Sequence, residues 1–261
     1  MAPLSLVRPR WGEGEPARGR VARGGVRVAR VGITALLTAG RLRGLRAMGP
    51  RDAARERALV LRDASRRVLD LHGMTVDAQG PIPLGPAVLV ANHVSWLDPL
   101  VVASLVPCAP ISKADVSRWP VVGTIARELG AIFFSRGDAR SGARVLRAAS
   151  AALDRGVPVL NFPEGTTTTG WTVLPFRKGI FGLALRSGLP VVPIALSYDP
   201  PDLAWVGEEA FLPHYLRLAA GRLARVKVSL GAPIPPTGHE RADSLAFAAW
   251  ECLSKMLRDH Q

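Results

Sequence analysis

Long apolar runs are missing from this chain of 261 residues. A membrane-spanning helix needs roughly 18 or more uninterrupted apolar residues. The nearest candidate, Val31 to Ala39, is far shorter and is soon followed by Arg41. No small-residue cleavage site follows a proper apolar core either, so no signal peptide is expected. Contact with a membrane therefore has to be lateral. Cysteine is nearly absent: Cys108 and Cys252 give neither a metal-ligand spacing nor a disulfide framework, which suits a reducing compartment. Aromatic residues make up only 6% of the chain. Acids are scarce as well, with 21 Asp plus Glu against 34 Lys plus Arg and a formal charge of +13. Such an excess favours nucleic acid, an anionic bilayer surface or phosphorylated small molecules. The first of these also needs stacking aromatics or a recognisable module. Neither is present, and the arginine excess is strongest in the N-terminal tail, so no nucleic-acid partner is expected.

What is present is enough apolar material for one sizeable core, since 48% of residues are hydrophobic. The first 50 residues or so are rich in Arg, Gly and Pro. Met1–Arg27 reads as largely disordered, with a short basic amphipathic helix to about Met48. From Arg51 to Leu71, Ala54, Ala58, Leu61, Ala64, Val68 and Leu71 recur at helical spacing. That helix either packs on the core or lies in a bilayer interface.

From Ala87 onward, short Val-, Ile- and Phe-rich runs alternate with helical stretches. The runs are Ala87–Ala91, Ala109–Ser112, Ala131–Phe134, Val157–Phe162, Val191–Ser197 and Val226–Leu230. The helices are Pro99–Val106, Val121–Glu128, Ser141–Arg155 and Gly179–Ser187, with a closing one from about Arg241 to Arg258. Apolar strands separated by helices predict an α/β fold, a mostly parallel central sheet covered by helices, preceded by an N-terminal amphipathic helical segment. There are no internal repeats and no second domain of comparable size.

The chemistry-bearing residues lie at strand ends, where ligands bind in open α/β sheets. Asn92-His93-Val94-Ser95-Trp96-Leu97-Asp98 follows the first apolar run. A turn between His93 and Asp98, with Pro99 starting a helix, would let the carboxylate fix one ring nitrogen and leave the other as a base. Taken alone, such a pair is more often structural than catalytic. Arg136, after Gly130–Ser135, fits a phosphate clamp or a surface salt bridge. In Asn161-Phe162-Pro163-Glu164-Gly165-Thr166-Thr167, the carboxylate and the turn's N–H groups could face an acceptor head group, though Glu164 equally fits a helix cap. Arg177 and Lys178 sit at a helix start, a suitable place for an anion. Pro190, Val191 and Pro193 mark a strand that is either plain core or the lining of an acyl channel.

Together and in this order, these four blocks resemble the glycerolipid acyltransferase family, best known for the lysophosphatidic acid acyltransferases. The resemblance runs from about Ala87 to Ile194. It implies residues 1–50 as a basic, partly disordered membrane-proximal segment and 51–261 as the α/β acyltransferase domain, including a helix at 51–72. It implies His93 as general base and Asp98 as its orienting partner, with direct attack of the acceptor hydroxyl on an acyl thioester and no acyl-enzyme on Ser95 or Cys108. Asn92, Arg136, Phe162, Pro163, Glu164, Gly165, Thr166, Arg177 and Lys178 would bind substrate. Pro190, Val191 and Pro193 would support the acyl site. No metal and no cofactor are implied, and acyl-CoA or acyl carrier protein would serve as co-substrate. The expected partners are a lyso-lipid acceptor, a thioester donor and an anionic membrane surface, with peripheral attachment to the cytoplasmic face of the cell membrane.

One departure stands out. Family members that make phosphatidic acid usually carry an Arg after Glu-Gly-Thr, where this chain has Thr167 followed by Thr168 and Thr169. The acceptor is then lysophosphatidic acid, with Arg177 or Lys178 compensating, or another lyso-lipid such as lyso-ornithine lipid. Three rivals fare worse. A nucleic-acid-binding protein lacks its module, an inactive lipid-binding scaffold has no need of both His93 and Asp98, and a Ser95 hydrolase lacks the Gly-x-Ser-x-Gly elbow. His72, His214, His239 and His260 read as isolated surface or satisfied histidines.

Overall fold

The computed structural model describes residues 17–119, 121–135, 139–207, 209–221, 223–237 and 241–260. Helix α1 (Ala17–Gly44) is followed by α2 (Pro50–Leu71). Extended Gly49 leads into Pro50, whose fixed φ suits a first helical turn. The expectation of disorder for Met1–Arg27 is corrected over Ala17–Arg27, which is helical; residues 1–16 lie outside the described residues. The reason is tertiary. Arg23 Nε donates to the Ala220 carbonyl at 3.2 Å, and Arg27 Nη1 to those of Ala219 and Gly221 at 3.1 and 2.6 Å. These arginines cap the carbonyl end of a distant helix, α7 (Phe211–Ala220), where positive charge is favoured. Helix α2 packs against both α1 and α3 (Asp98–Leu105).

Seven strands form one sheet: β1 (Met74–Gln79), β2 (Val88–Ala91), β3 (Ala109–Lys113), β4 (Ile132–Phe134), β5 (Val159–Asn161), β6 (Val191–Asp199) and β7 (Ala224–Leu230). Their order is β1-β7-β6-β2-β5-β3-β4, and every pairing is parallel except β6 with β7. Helices α4 (Val122–Glu128), α5 (Ala139–Asp154), α6 (Gly179–Ser187) and α8 (Ala242–Arg258) complete the layers. The mostly parallel α/β architecture is thus the expected one. Strand β1 and helix α7 were not expected. β1 is an edge strand with one buried end and no continuous apolar run, so it lacks the signature of its central neighbours.

The alternation along β2 shows how the sheet is covered. Leu89 and Ala91 join a core with α2 and α3 residues such as Leu61 and Val101. Val88 and Val90 join a second core with Val145 of α5, Phe181 of α6 and Leu245 of α8. All four β2 residues are fully buried, and each large aliphatic side chain so placed contributes about 1.5–3 kcal/mol. This two-sided burial fixes the register, and with it the place where the loop after β2 emerges.

Candidate active site

The parallel strands β2, β3, β4 and β5 all point their carboxyl ends the same way, and the site sits there. The chain leaves β2 at Asn92, turns through Val94 and Ser95, and enters α3 at Asp98. Asp98 is fully buried and its carboxylate is saturated with donors. Oδ2 accepts from His93 Nδ1 at 2.7 Å and from the Val94 and Ser95 N–H groups at 2.7 and 2.9 Å. Oδ1 accepts from the Tyr198 hydroxyl at 2.6 Å. Its place in the first turn of α3 adds a favourable helix dipole. With Nδ1–H committed to Asp98, the neutral imidazole presents Nε2 as an acceptor. Phe162 stacks on the ring with centroids 4.3 Å apart.

His93 opens onto an apolar cavity of about 680 Å³. Its walls are Val28, Val31 and Ala35 of α1, Leu61 and Val68 of α2, and Val122 and Ile125 of α4. Trp96, Trp119, Phe211 and Tyr215 add an aromatic side, with Trp119 stacked on Phe211 at 3.9 Å. Among the described residues lining it, the charged ones are Lys113 and Arg177, and none is a carboxylate. An aliphatic cavity with cations near a base suits an amphiphile with an anionic head.

The Glu164 segment closes the site from the β5 side. Glu164 is buried, and its Oε1 accepts the His93 N–H at 2.8 Å while Oε2 accepts the Leu174 N–H at 2.9 Å. Burial raises its carboxyl above the usual range, while those two backbone bonds pull the other way. The Thr168 N–H donates to the His93 carbonyl at 2.7 Å. Gly165 has φ +73°, and a Cβ there would lie 2.8 Å from Arg177 Cζ, so only glycine lets the guanidinium approach this closely.

A family model described as acyltransferase matches residues 73–197. A lyso-ornithine lipid O-acyltransferase of Pseudomonas aeruginosa is 38% identical over 173 residues, 64% of this chain and 67% of that protein. A lyso-ornithine lipid O-acyltransferase of Rhizobium meliloti is 30% identical over 209 residues, 72% of this chain and 71% of its own. The chain belongs to the glycerolipid acyltransferase family. A 1-acyl-sn-glycerol-3-phosphate acyltransferase of Neisseria meningitidis is 32% identical over 174 residues, covering 66% of this acyltransferase and 67% of its own length. The crystal structure of the 1-acyl-sn-glycerophosphate acyltransferase of Thermotoga maritima superposes with a TM-score of 0.67 at 21% identity, over 90% of this chain and 97% of that one. At that identity the likeness speaks to fold alone.

The expected residues of this O-acyltransferase divide into three groups. His93, Phe162, Pro163, Gly165 and Arg177 line the cavity, with Asp98 behind His93, and Thr167 joins them. Asn92 does not: it is fully buried, and its amide is spent on the Leu196 peptide, donating to the carbonyl at 2.9 Å and accepting the N–H at 2.8 Å. Glu164 likewise spends both oxygens on backbone, which corrects the expectation that its carboxylate is presented to a head group. Lys178 turns away to pair with Asp243 of α8 at 2.8 Å. Thr166 lies on the turn beside Thr167 and is not among the cavity-lining residues. Pro190, Val191 and Pro193 are also not lining residues, because β6 lies within the sheet beside β2 and the apolar cavity opens toward α1, α2 and α4. Arg136 lies outside the described residues.

The alternative nucleophiles are poorly placed. Ser95 is fully buried, and Cys108 is buried with its thiol pushed up to about 12. The reading of the other histidines as surface or satisfied is corrected in part. His72 is buried with Nε2 unpartnered, His214 is buried with Nδ1 accepting from Trp96 Nε1 at 3.0 Å, and His239 lies outside the described residues. Sequence reasoning missed Tyr198, a lone tyrosine in an apolar strand with no spacing to mark it. It also missed the aromatic wall, whose signal is that scarce aromatics recur at Trp96, Trp119, Trp205, Phe211 and Tyr215.

Proposed function

We propose that this acyltransferase moves a fatty acyl group from a thioester carrier, acyl-CoA or acyl carrier protein, to the free hydroxyl of a lysophospholipid-like acceptor. The observation that carries the reading is His93: held by Asp98 on one nitrogen, it turns the other toward an apolar cavity flanked by Arg177. In the reaction, Nε2 takes the hydroxyl proton as the oxygen attacks the thioester carbonyl. The tetrahedral intermediate then collapses, the C–S bond breaks, and the imidazolium returns its proton to the departing thiolate. Asp98 stabilises the transient imidazolium without taking its proton.

Arg177 supports an acceptor with an anionic head, and lysophosphatidic acid is the first reading. Lyso-ornithine lipid is the second, favoured by Thr167 lining the cavity in place of the arginine that the resemblance leads one to expect. No helix among the described residues is long and apolar enough to cross a membrane. Peripheral attachment at the cytoplasmic face is supported by α1, which combines arginines with the exposed side chains Ile33, Leu36 and Leu37. The test is purified protein with one acyl-CoA and the two acceptors in parallel, read by mass of the lipid product. Formation of either diacyl product supports the reading. Thioester hydrolysis with no acylated lipid contradicts it.

A further inference from the structure

Asp98 is gripped from two directions. Its Oδ2 collects donors from its own segment, namely His93 Nδ1, Val94 N and Ser95 N. Its Oδ1 takes a donor from 100 residues further along the chain, the buried Tyr198 hydroxyl at 2.6 Å. Tyr198 is carried by β6, beyond the last residue paired with β2, where Ala91 meets Ile194. The Asn92 amide locks this offset by clamping the Leu196 peptide in both directions. On its other edge β6 runs antiparallel to β7, with Tyr198 opposite Val226. The phenol is therefore delivered by the centre of the sheet and not by a loop.

We propose that Tyr198 is a positioning residue for acyl transfer, setting the rotation and basicity of the Asp98 carboxylate and, through it, the orientation and proton affinity of His93. The inference rests on the reading of His93 as general base. With Oδ1 tethered, Oδ2 cannot swing away from the imidazole. A short O–H···O⁻ bond also draws negative charge toward Oδ1, so Oδ2 stabilises an imidazolium less than an untethered carboxylate would. Burial, and then the adjacent Asp98 charge, push ionisation of Tyr198 well above the ordinary tyrosine range, so the phenol remains a donor. Among the described residues, the other charged groups beside this pair are Glu164, bonded to the His93 N–H, and Lys113 and Arg177 on the cavity wall. The substitutions below leave all three in place.

Tyr198→Phe removes the hydroxyl alone. The acidic limb of the kcat/KM profile is expected to move to higher pH by about half a unit to one unit. A kcat loss on the order of tenfold accompanies it, as the untethered Asp98 carboxylate no longer fixes the imidazole in its productive orientation. Both KM values stay close to wild type. Tyr198 and Tyr215 are the two tyrosines of the chain, so Tyr215→Phe protein grown on 3-fluorotyrosine carries the label at position 198 alone. The fluorinated phenol is a stronger donor and keeps the native shape. The limb then moves to lower pH than in unlabelled Tyr215→Phe, and this comparison decides the matter if Tyr198→Phe does not fold. A limb that stays in place under both changes overturns the proposal. Inactive His93→Ala with an unmoved limb removes only the role of Tyr198, whereas an active His93→Ala removes the general-base reading itself.

Discussion

Glu164 holds His93 by its backbone: the carboxylate accepts the His93 N–H at 2.8 Å and, through its other oxygen, the Leu174 N–H at 2.9 Å. A charged side chain is thereby used to join the loop after β2 to the loop after β5. Replacing it by Gln turns one acceptor into an NH2 group that faces a backbone N–H. The expected outcome for Glu164→Gln is a kcat loss of about 10- to 100-fold with the acceptor KM little changed, the cost of a charged hydrogen bond in a buried frame. Steady-state kinetics over a range of acceptor concentrations checks this. A large rise in KM at preserved kcat would show that Glu164 binds the head group after all.

Gly165 and Arg177 make the second prediction. Gly165→Ala forces a Cβ into the left-handed region at roughly 1–2 kcal/mol and would place it 2.8 Å from Arg177 Cζ, so the guanidinium has to shift. The acceptor KM is expected to rise several-fold while the donor KM holds. Arg177→Gln should reproduce the acceptor effect without the loss of stability. Thermal melting of both variants beside the kinetics separates the two contributions.

Much of this arrangement was legible in the chain, and the reasons differ by residue. The contact between His93 and Asp98 was readable because Pro99 fixes a helix start and so places the carboxylate in a first turn, whereas a catalytic role for the pair was implied only by the resemblance of the four ordered blocks. The apolar runs marked the central strands, since burial on both faces demands continuous Val, Ile and Leu. Asn92, Glu164 and Lys178 were misplaced because a sequence shows that a polar group exists but not which partner consumes it. The apolar cavity beside His93 was not legible, because its lining is drawn from α1, α2, α4, the strand ends and aromatic residues such as Trp205 and Phe211, far apart in sequence, and Pro190, Val191 and Pro193 are not part of it. Helicity of Ala17–Arg27 depends on carbonyls of α7 roughly two hundred residues away, which no local composition encodes.

Acid should destabilise the fold through its buried histidines. Burial, reinforced by the Arg217 guanidinium, lowers His214 below the usual histidine range, and burial does the same for His72 and His260. A histidine with a depressed folded-state value contributes stability above about pH 6.5 and loses it as pH falls through that lower value. Protonating His214 at Nδ1 also removes the acceptor for Trp96 Nε1. Melting temperature is expected to fall below pH 6.5, and His214→Gln should flatten part of that fall. An identical slope in the variant would exclude His214 as a contributor.

The apolar face of α1 predicts how the enzyme meets its lipids. Ile33, Leu36 and Leu37 are 55%, 75% and 54% exposed, and none lines the cavity. Replacing all three by Ser should leave folding intact and sharply reduce co-sedimentation with anionic vesicles. Activity on vesicle-borne acceptor should fall, and activity on detergent-dispersed acceptor should persist. Unchanged vesicle binding contradicts this orientation.

The most direct test of the whole account is the rate of acyl transfer by His93→Ala beside wild type, with melting curves showing both folded. A general base at this position predicts a loss on the order of 100- to 10,000-fold, with lipid acceptor and thioester still bound. A folded variant that transfers the acyl group within a few-fold of the wild-type rate would mean that the proton is taken elsewhere and that the imidazole beside Asp98 is structural.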